Sequence, residues 1–109
     1  MAYDEHLVER LAAIYAEFPE VEQKKMFGGL CFMVSGHMSC GVTDDPLMVR
    51  VGPDQYAEAL SRPHAREMDF TGKPLRGFVY VDQEGYESDE DLASWVDMSM
   101  KFIFSLPPK

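Results

Sequence analysis

The chain has 109 residues, 46% of them hydrophobic, and a formal net charge of -9. This length predicts one domain, residues 1–109, whose core needs neither a metal nor a disulfide. The apolar runs are too short to span a membrane and the first residues lack the pattern of a signal peptide, so we expect a cytoplasmic protein. Acidic residues crowd both ends of the chain. Because a protein that grips phosphates needs a cationic face, direct nucleic-acid binding is not expected.

Amphipathic helices are predicted at both ends of the chain. Apolar residues recur at three- and four-residue spacing from Asp4 to Phe18, and Pro19 predicts the end of this helix. Near the other end, Ser88 precedes three acidic residues, which together favour a helix start. The pattern that follows predicts a long C-terminal helix with Trp95 on its buried side.

Between the helices the apolar period changes to two, which predicts strands. A hairpin is expected from residues 30–34 and 38–42. A three-residue loop between them is predicted, because it sets Val34 opposite Met38 and continues one apolar face. His37 is then an exposed turn residue.

Three further strands and a short helix complete the predicted order. They are a strand at residues 47–51, a helix from Pro53 to Leu60, a short strand at Met68 and Phe70, and a strand at residues 77–81. The predicted fold is therefore α+β with two layers, an antiparallel sheet carrying the N-terminal and C-terminal amphipathic helices.

Three segments of the chain carry a family resemblance. They are Lys24-Lys25-Met26-Phe27-Gly28-Gly29-Leu30-Cys31-Phe32, residues 47–51 with Arg50, and residues 62–81 with Phe78 and Tyr80. With them the chain resembles the N-terminal domain of the TfoX/Sxy proteins, which are associated with regulation of competence in bacteria. The resemblance covers nearly the whole chain and implies the same α+β fold, but no settled biochemical activity. Two-domain members carry a C-terminal helical domain that these residues do not include, so a role that depends on it is not implied.

No catalytic or metal-binding constellation is expected. Cys31, His37 and Cys40 are close in sequence, but the alternation puts the two cysteines on opposite faces of the hairpin, which argues against a zinc site and a disulfide. No histidine lies in a nucleophile or metalloprotease motif. We therefore expect no enzyme activity, metal or cofactor.

The basic residues suggest a small-anion or metabolite site, because converging guanidinium groups bind carboxylates and phosphates in fork geometry. The candidate residues are Arg50, His64, Arg66, Lys73 and Arg76, with Lys24 and Lys25 as further cations. Each of these cations could instead pair with an acidic neighbour.

An interface is the other hypothesis. Cys31, Met33 and Met48 are predicted to be exposed on the sheet face opposite the core. Apolar sheet faces are seldom left bare, so a helix or another chain should cover this one, and a homodimer is one possibility. The leading functional hypothesis is a non-enzymatic regulatory or adaptor domain that acts by protein–protein contact, with a role in transcriptional or competence regulation. Small-anion binding is the alternative.

Overall fold

The computed structural model describes residues 5–18, 20–26, 29–42, 47–68 and 77–106. The helices are α1 (Glu5–Tyr15), α2 (Tyr56–Ser61) and α3 (Asp89–Ile103), with short 3-10 turns at Pro53–Gln55 and Gln83–Gly85. The strands are β1 (Val21–Met26), β2 (Gly29–Val34), β3 (His37–Val42), β4 (Leu47–Arg50), β5 (Ala65–Glu67) and β6 (Phe78–Val81). The predicted α+β architecture is confirmed.

The strands form one antiparallel sheet in the order β1-β2-β3-β4-β6-β5. All three helices contribute side chains to the main core, which lies on one face of the sheet, the core face. A smaller apolar cluster lies on the opposite, outer face, and its described members come from the strands and from Met68. None of the described helices is long and apolar enough to cross a membrane.

Two strands differ from the sequence-based prediction. The first strand was expected to begin at Leu30, but β1 precedes it and carries four consecutive exposed polar residues, 22–25. This strand has no apolar alternation because it lies at the edge of the sheet. The short strand predicted at Met68 and Phe70 is tested only at Met68, which lies just after the end of β5 at Glu67 and is not part of a strand, whereas Phe70 lies outside the described residues.

The hairpin of β2 and β3 confirms part of the predicted register. Phe32 lies opposite Cys40, as expected. The three-residue loop is wrong: Val34 pairs with His37 across a two-residue turn at residues 35–36. Both turn residues have positive φ, 50° and 84°, as a tight hairpin of this hand requires. His37 is consequently the first residue of β3 and is buried, only 8% exposed, rather than an exposed turn residue.

A register shift in the same hairpin changes which side chains enter the core. Met33 pairs with Met38, which leaves Ser39 as an extra residue on β3. Met38 therefore lies on the outer face, not on the core face as predicted. Ser39 is fully buried and its Oγ is hydrogen bonded to Tyr15 Oη at 2.6 Å and to Ser99 Oγ at 2.7 Å. This hydroxyl chain ties α1 and α3 to the bulge of β3.

The start of α3 agrees with the prediction. Ser88 caps the helix by accepting a hydrogen bond from the Asp91 N–H at 3.1 Å. Trp95 is 2% exposed, and its Nε1–H donates to the Gly85 carbonyl oxygen at 3.1 Å. The aromatic side chain of α3 is therefore both buried and oriented by the preceding 3-10 turn.

Candidate functional site

The strand register assembles a methionine-rich and aromatic surface on the outer face. Residues that lie opposite each other on antiparallel strands share a face, so one row can be followed across the whole sheet. That row is Lys24, Cys31, Gly41, Met48, Tyr80 and Arg66. The neighbouring row contains the paired residues Met33 and Met38 and the paired residues Arg50 and Phe78. Each row thus combines apolar side chains with an arginine.

The predicted exposure of this face is wrong for two of the three interface candidates. Cys31 and Met48 are 1% and 2% exposed, and only Met33 is half-buried. Gly41 explains the difference, because it lies between them and has no side chain. A Cβ added to Gly41 would collide with the Met48 methyl group and lie 3.3 Å from Cys31 Sγ. The two side chains fill this space and shield each other, and none of the helices in the described part of the chain packs above them.

Half-buried side chains surround this closed centre. They are Met33, Met38, Phe78 and Tyr80, all packed against the cluster of Cys31, Met48 and Met68. Methionine is flexible and polarisable and adapts to irregular apolar surfaces. The outer face therefore offers an adaptable apolar rim around a packed centre.

Arg50 is the charged group most closely integrated with this face. Its Cζ lies 5.6 Å from the centroid of the Phe78 ring and 5.2 Å from that of the Phe102 ring. These distances allow a favourable cation–π interaction with both rings. Burial lowers the pKa of Arg50, and no carboxylate among the described residues forms an ion pair with it. The guanidinium group is thus positioned by the two rings, and toward the rest of the described residues it keeps donors for an acceptor.

The end of β4 determines this position. The Gly77 carbonyl oxygen accepts hydrogen bonds from the N–H groups of Val51 and Gly52, at 2.8 and 3.0 Å. Gly52 has φ of 83°, and the Phe102 ring occupies the space that a Cβ at this position would need. A glycine at this turn therefore lets the last turn of α3 reach the strand end, where Phe102 meets Arg50.

Arg66 shares the outer face with Arg50 but is neutralised locally. Its Nη2 lies 3.2 Å from Asp82 Oδ1, and its Cζ lies 5.0 Å from the centroid of the Tyr80 ring. Since β6 separates β5 from β4, the two arginine backbones are about 10 Å apart in the hydrogen-bonding direction alone. Lys24 and Lys25 lie on β1, at the opposite edge of the sheet from β5.

His64 lies in a different place, a cavity of about 290 Å³ between the turn before β5, the second 3-10 turn and α3. Arg62 also lines this cavity, but its guanidinium lies 4.8 Å from the Trp95 ring centroid and donates to Ser94 Oγ at 2.9 Å. The carboxylates of Glu84 and Asp91 face the same space. The cavity is therefore of mixed charge.

Two of the five predicted ligand residues, Lys73 and Arg76, lie outside the described residues. In the described part, Arg50, His64 and Arg66 do not meet at a common site. Sequence reasoning missed the contacts that position the arginines, because each aromatic partner lies in another element. Phe102 carried a partial signal, since it follows Trp95 by seven residues and so lies on the same predicted buried side of the helix, and it is half-buried at the end of the sheet.

The comparisons with known proteins address identity at the level of the family. No curated protein matches the chain. The family model described as the TfoX N-terminal domain matches residues 13–103. This range contains all six strands, α2, α3 and the whole outer face. The resemblance predicted from the sequence is confirmed, and the chain belongs to the TfoX N-terminal domain family.

Proposed function

We propose that this protein is a non-enzymatic regulatory or adaptor domain of the cytoplasm that acts by binding another protein through the outer face. The observation that carries the proposal is a half-buried rim of methionine and aromatic side chains, with Arg50 beside it, on a sheet face over which no described helix packs. Such a surface is typical of protein–protein contacts, in which aromatic, methionine and arginine residues are enriched.

The chemistry of Arg50 defines what the partner should present. A half-buried guanidinium with no ion pair in the described part gains most from a carboxylate, which forms short charge-assisted hydrogen bonds with it. Phe78 beside Arg50 and Met38 in the same row would contact apolar atoms of the partner. The proposed partner is therefore a protein segment that carries apolar side chains next to an aspartate or glutamate.

Family membership supports a regulatory role, in transcriptional or competence regulation, rather than a metabolic one. The formal net charge of -9 supports contact with a protein rather than with nucleic acid. Small-anion binding receives less support: Arg66 already has Asp82, and the cavity beside His64 contains two carboxylates. The proposed activity is thus recognition of a protein surface.

Affinity capture from the native cell with matched variants tests the proposal. The first bait is the wild-type protein, the second is Arg50→Glu, and the control is Lys101→Glu, which makes the same charge change at an exposed site of α3. We expect a partner that wild type and Lys101→Glu capture equally and that Arg50→Glu loses. Circular dichroism of each bait establishes that it is folded.

Binding of the captured protein is then measured with purified components. The Arg50→Glu change should weaken affinity by about 2 kcal/mol or more, as expected for loss of a desolvated charge pair at an interface. If Arg50→Glu and Met38→Glu bind the partner as well as wild type does, the outer face is not the recognition surface.

A further inference from the structure

The free edge of β1 is organised for pairing with another strand. In the described part of the chain only β2 pairs with β1, and the side chains of residues 22–25 are all exposed. The Glu20 carbonyl oxygen accepts from the Ser35 N–H at 3.0 Å, so this carbonyl points toward β2. In a trans peptide the following N–H points the opposite way. The N–H and C=O groups of Val21 therefore point to the free edge, and those of Gln23 and Lys25 follow by alternation.

The side chains of β1 divide between the two faces. Glu22 and Lys24 lie opposite Met33 and Cys31 and thus on the outer face. Gln23 lies opposite Phe32 and thus on the core face. An antiparallel neighbour must keep opposite residues on the same face, so its register is restricted to shifts of two residues.

Charge selects one register when the neighbour is a second copy of the same strand. Centring the pair on Gln23 sets each Glu22 opposite Lys24 of the second copy, which forms two reciprocal pairs of opposite charge. Centring it on Glu22 or on Lys24 would place two like charges directly opposite each other. In the Gln23-centred register Val21 lies opposite Lys25 of the second copy, and Gln23 lies opposite its own counterpart. These are the residues whose backbone groups point to the free edge. Hydrogen bonding and charge therefore agree.

We propose that two copies of this protein form a two-fold symmetric dimer by antiparallel pairing of β1, centred on Gln23. The interface is isologous and continues the sheet from one copy into the other. This inference is independent of the proposed function, because the dimer uses the strand edge and leaves the arginine on β4 available to a partner.

The core-face side of the same edge supports this assignment. Two cavities, of about 380 and 310 Å³, lie between α1 and β1, and Gln23 lines both of them. The half-buried Val8 lines the first and the half-buried Ala12 the second. In the proposed register the first cavity of one copy lies beside the second cavity of the other. A half-buried apolar side chain of α1 thus lies in each of the two cavities beside the dimer axis.

Charge reversal provides the main test. Wild type should be a dimer by light scattering, and Glu22→Lys and Lys24→Glu should each raise the dimer dissociation constant about tenfold or more, since each variant places like charges opposite each other. Mixing the two variants should restore dimerisation as a heterodimer, because their charges are then complementary. Glu58→Lys and Lys101→Glu make the same charge changes at exposed sites on α2 and α3 and should leave the dimer intact.

Cysteine cross-linking tests the register. Both native thiols are buried, so a cysteine introduced on β1 reports its own neighbourhood. Gln23→Cys should form a cross-linked dimer under mild oxidation, because directly opposite Cα atoms are about 5.5 Å apart. Lys24→Cys should not, because its counterpart is a diagonal neighbour roughly 7–8 Å away. A monomeric wild type, no recovery on mixing, or cross-linking through residue 24 instead of residue 23 would overturn the proposal.

Discussion

The three hydroxyl groups of the buried chain, on Tyr15, Ser39 and Ser99, should contribute unequally to the stability of the protein. Ser39 is at its centre and bonds both Tyr15 and Ser99. Replacing Ser39 with alanine leaves the Tyr15 hydroxyl, among the described residues, with the weak thiol of Cys40 as its one partner, whereas Ser99 still donates to the Ser39 carbonyl oxygen at 3.2 Å. The Ser39→Ala variant thus leaves one buried hydroxyl without a good partner and loses one further hydrogen bond. Together these changes should lower the free energy of unfolding by about 2–3 kcal/mol.

Replacing Tyr15 or Ser99, at the two ends of the hydroxyl chain, should lower the free energy of unfolding by less. Tyr15→Phe leaves Ser39 bonded to Ser99, and Ser99→Ala leaves Ser39 bonded to Tyr15. Each should cost about 1 kcal/mol, the net value of one hydrogen bond. The double variant Tyr15→Phe and Ser39→Ala removes the stranded hydroxyl, so its cost should fall below the sum of the single costs by about 1 kcal/mol.

Urea unfolding followed by fluorescence measures these differences, because Trp95 is the single tryptophan of the sequence and is buried. Ser61→Ala is the matched control, since this serine is exposed on α2, and it should change stability by less than about 0.5 kcal/mol. If Ser39→Ala is no more costly than this control, or if the double variant is simply additive, the hydroxyl chain does not stabilise the bulge as argued.

Two further predictions concern the core. Trp95→Ala should cost about 3–5 kcal/mol, measured by urea unfolding with circular dichroism, and a near-native stability would contradict its buried placement. Burial raises the pKa of the Cys40 thiol from 9.0 to about 12, so the contribution of this thiol to the free energy of unfolding should be constant well below pH 9 and should fall between pH 9 and about 12, where the thiol releases its proton only in the unfolded chain. In the Cys40→Ala variant the free energy of unfolding should fall with pH less steeply, by about 1.4 kcal/mol per pH unit. If the free energy of unfolding, measured with urea from pH 8 to 11, has the same slope against pH in both proteins, the raised pKa of Cys40 is refuted.

Local patterns determine the elements that were predicted correctly. The period of α1, the Ser88 cap of α3 and the alternation in β2 depend on residues a few positions apart, and their physical preferences do not need the rest of the chain. The same alternation was sufficient to place Cys31 and Cys40 on opposite faces, which the structure confirms.

Strand pairing decided what local patterns did not. β1 is polar throughout its exposed middle and becomes a strand because it hydrogen bonds to β2 at the edge of the sheet. The bulge that turns Ser39 inward depends on hydroxyl groups contributed by α1 and α3, which are distant in sequence. A period-two pattern could not reveal a residue whose burial requires those partners.

The sequence determined which cations the chain has, and the tertiary structure determined which of them are available. Arg66 and Asp82 belong to different segments, and only the pairing of β5 with β6 brings them within 3.2 Å. Arg50 reaches Phe102 because Gly52 lets α3 approach the end of β4. Charge and aromatic contacts act over a few ångströms, so their partners are selected by the packing of distant segments and not by spacing along the chain.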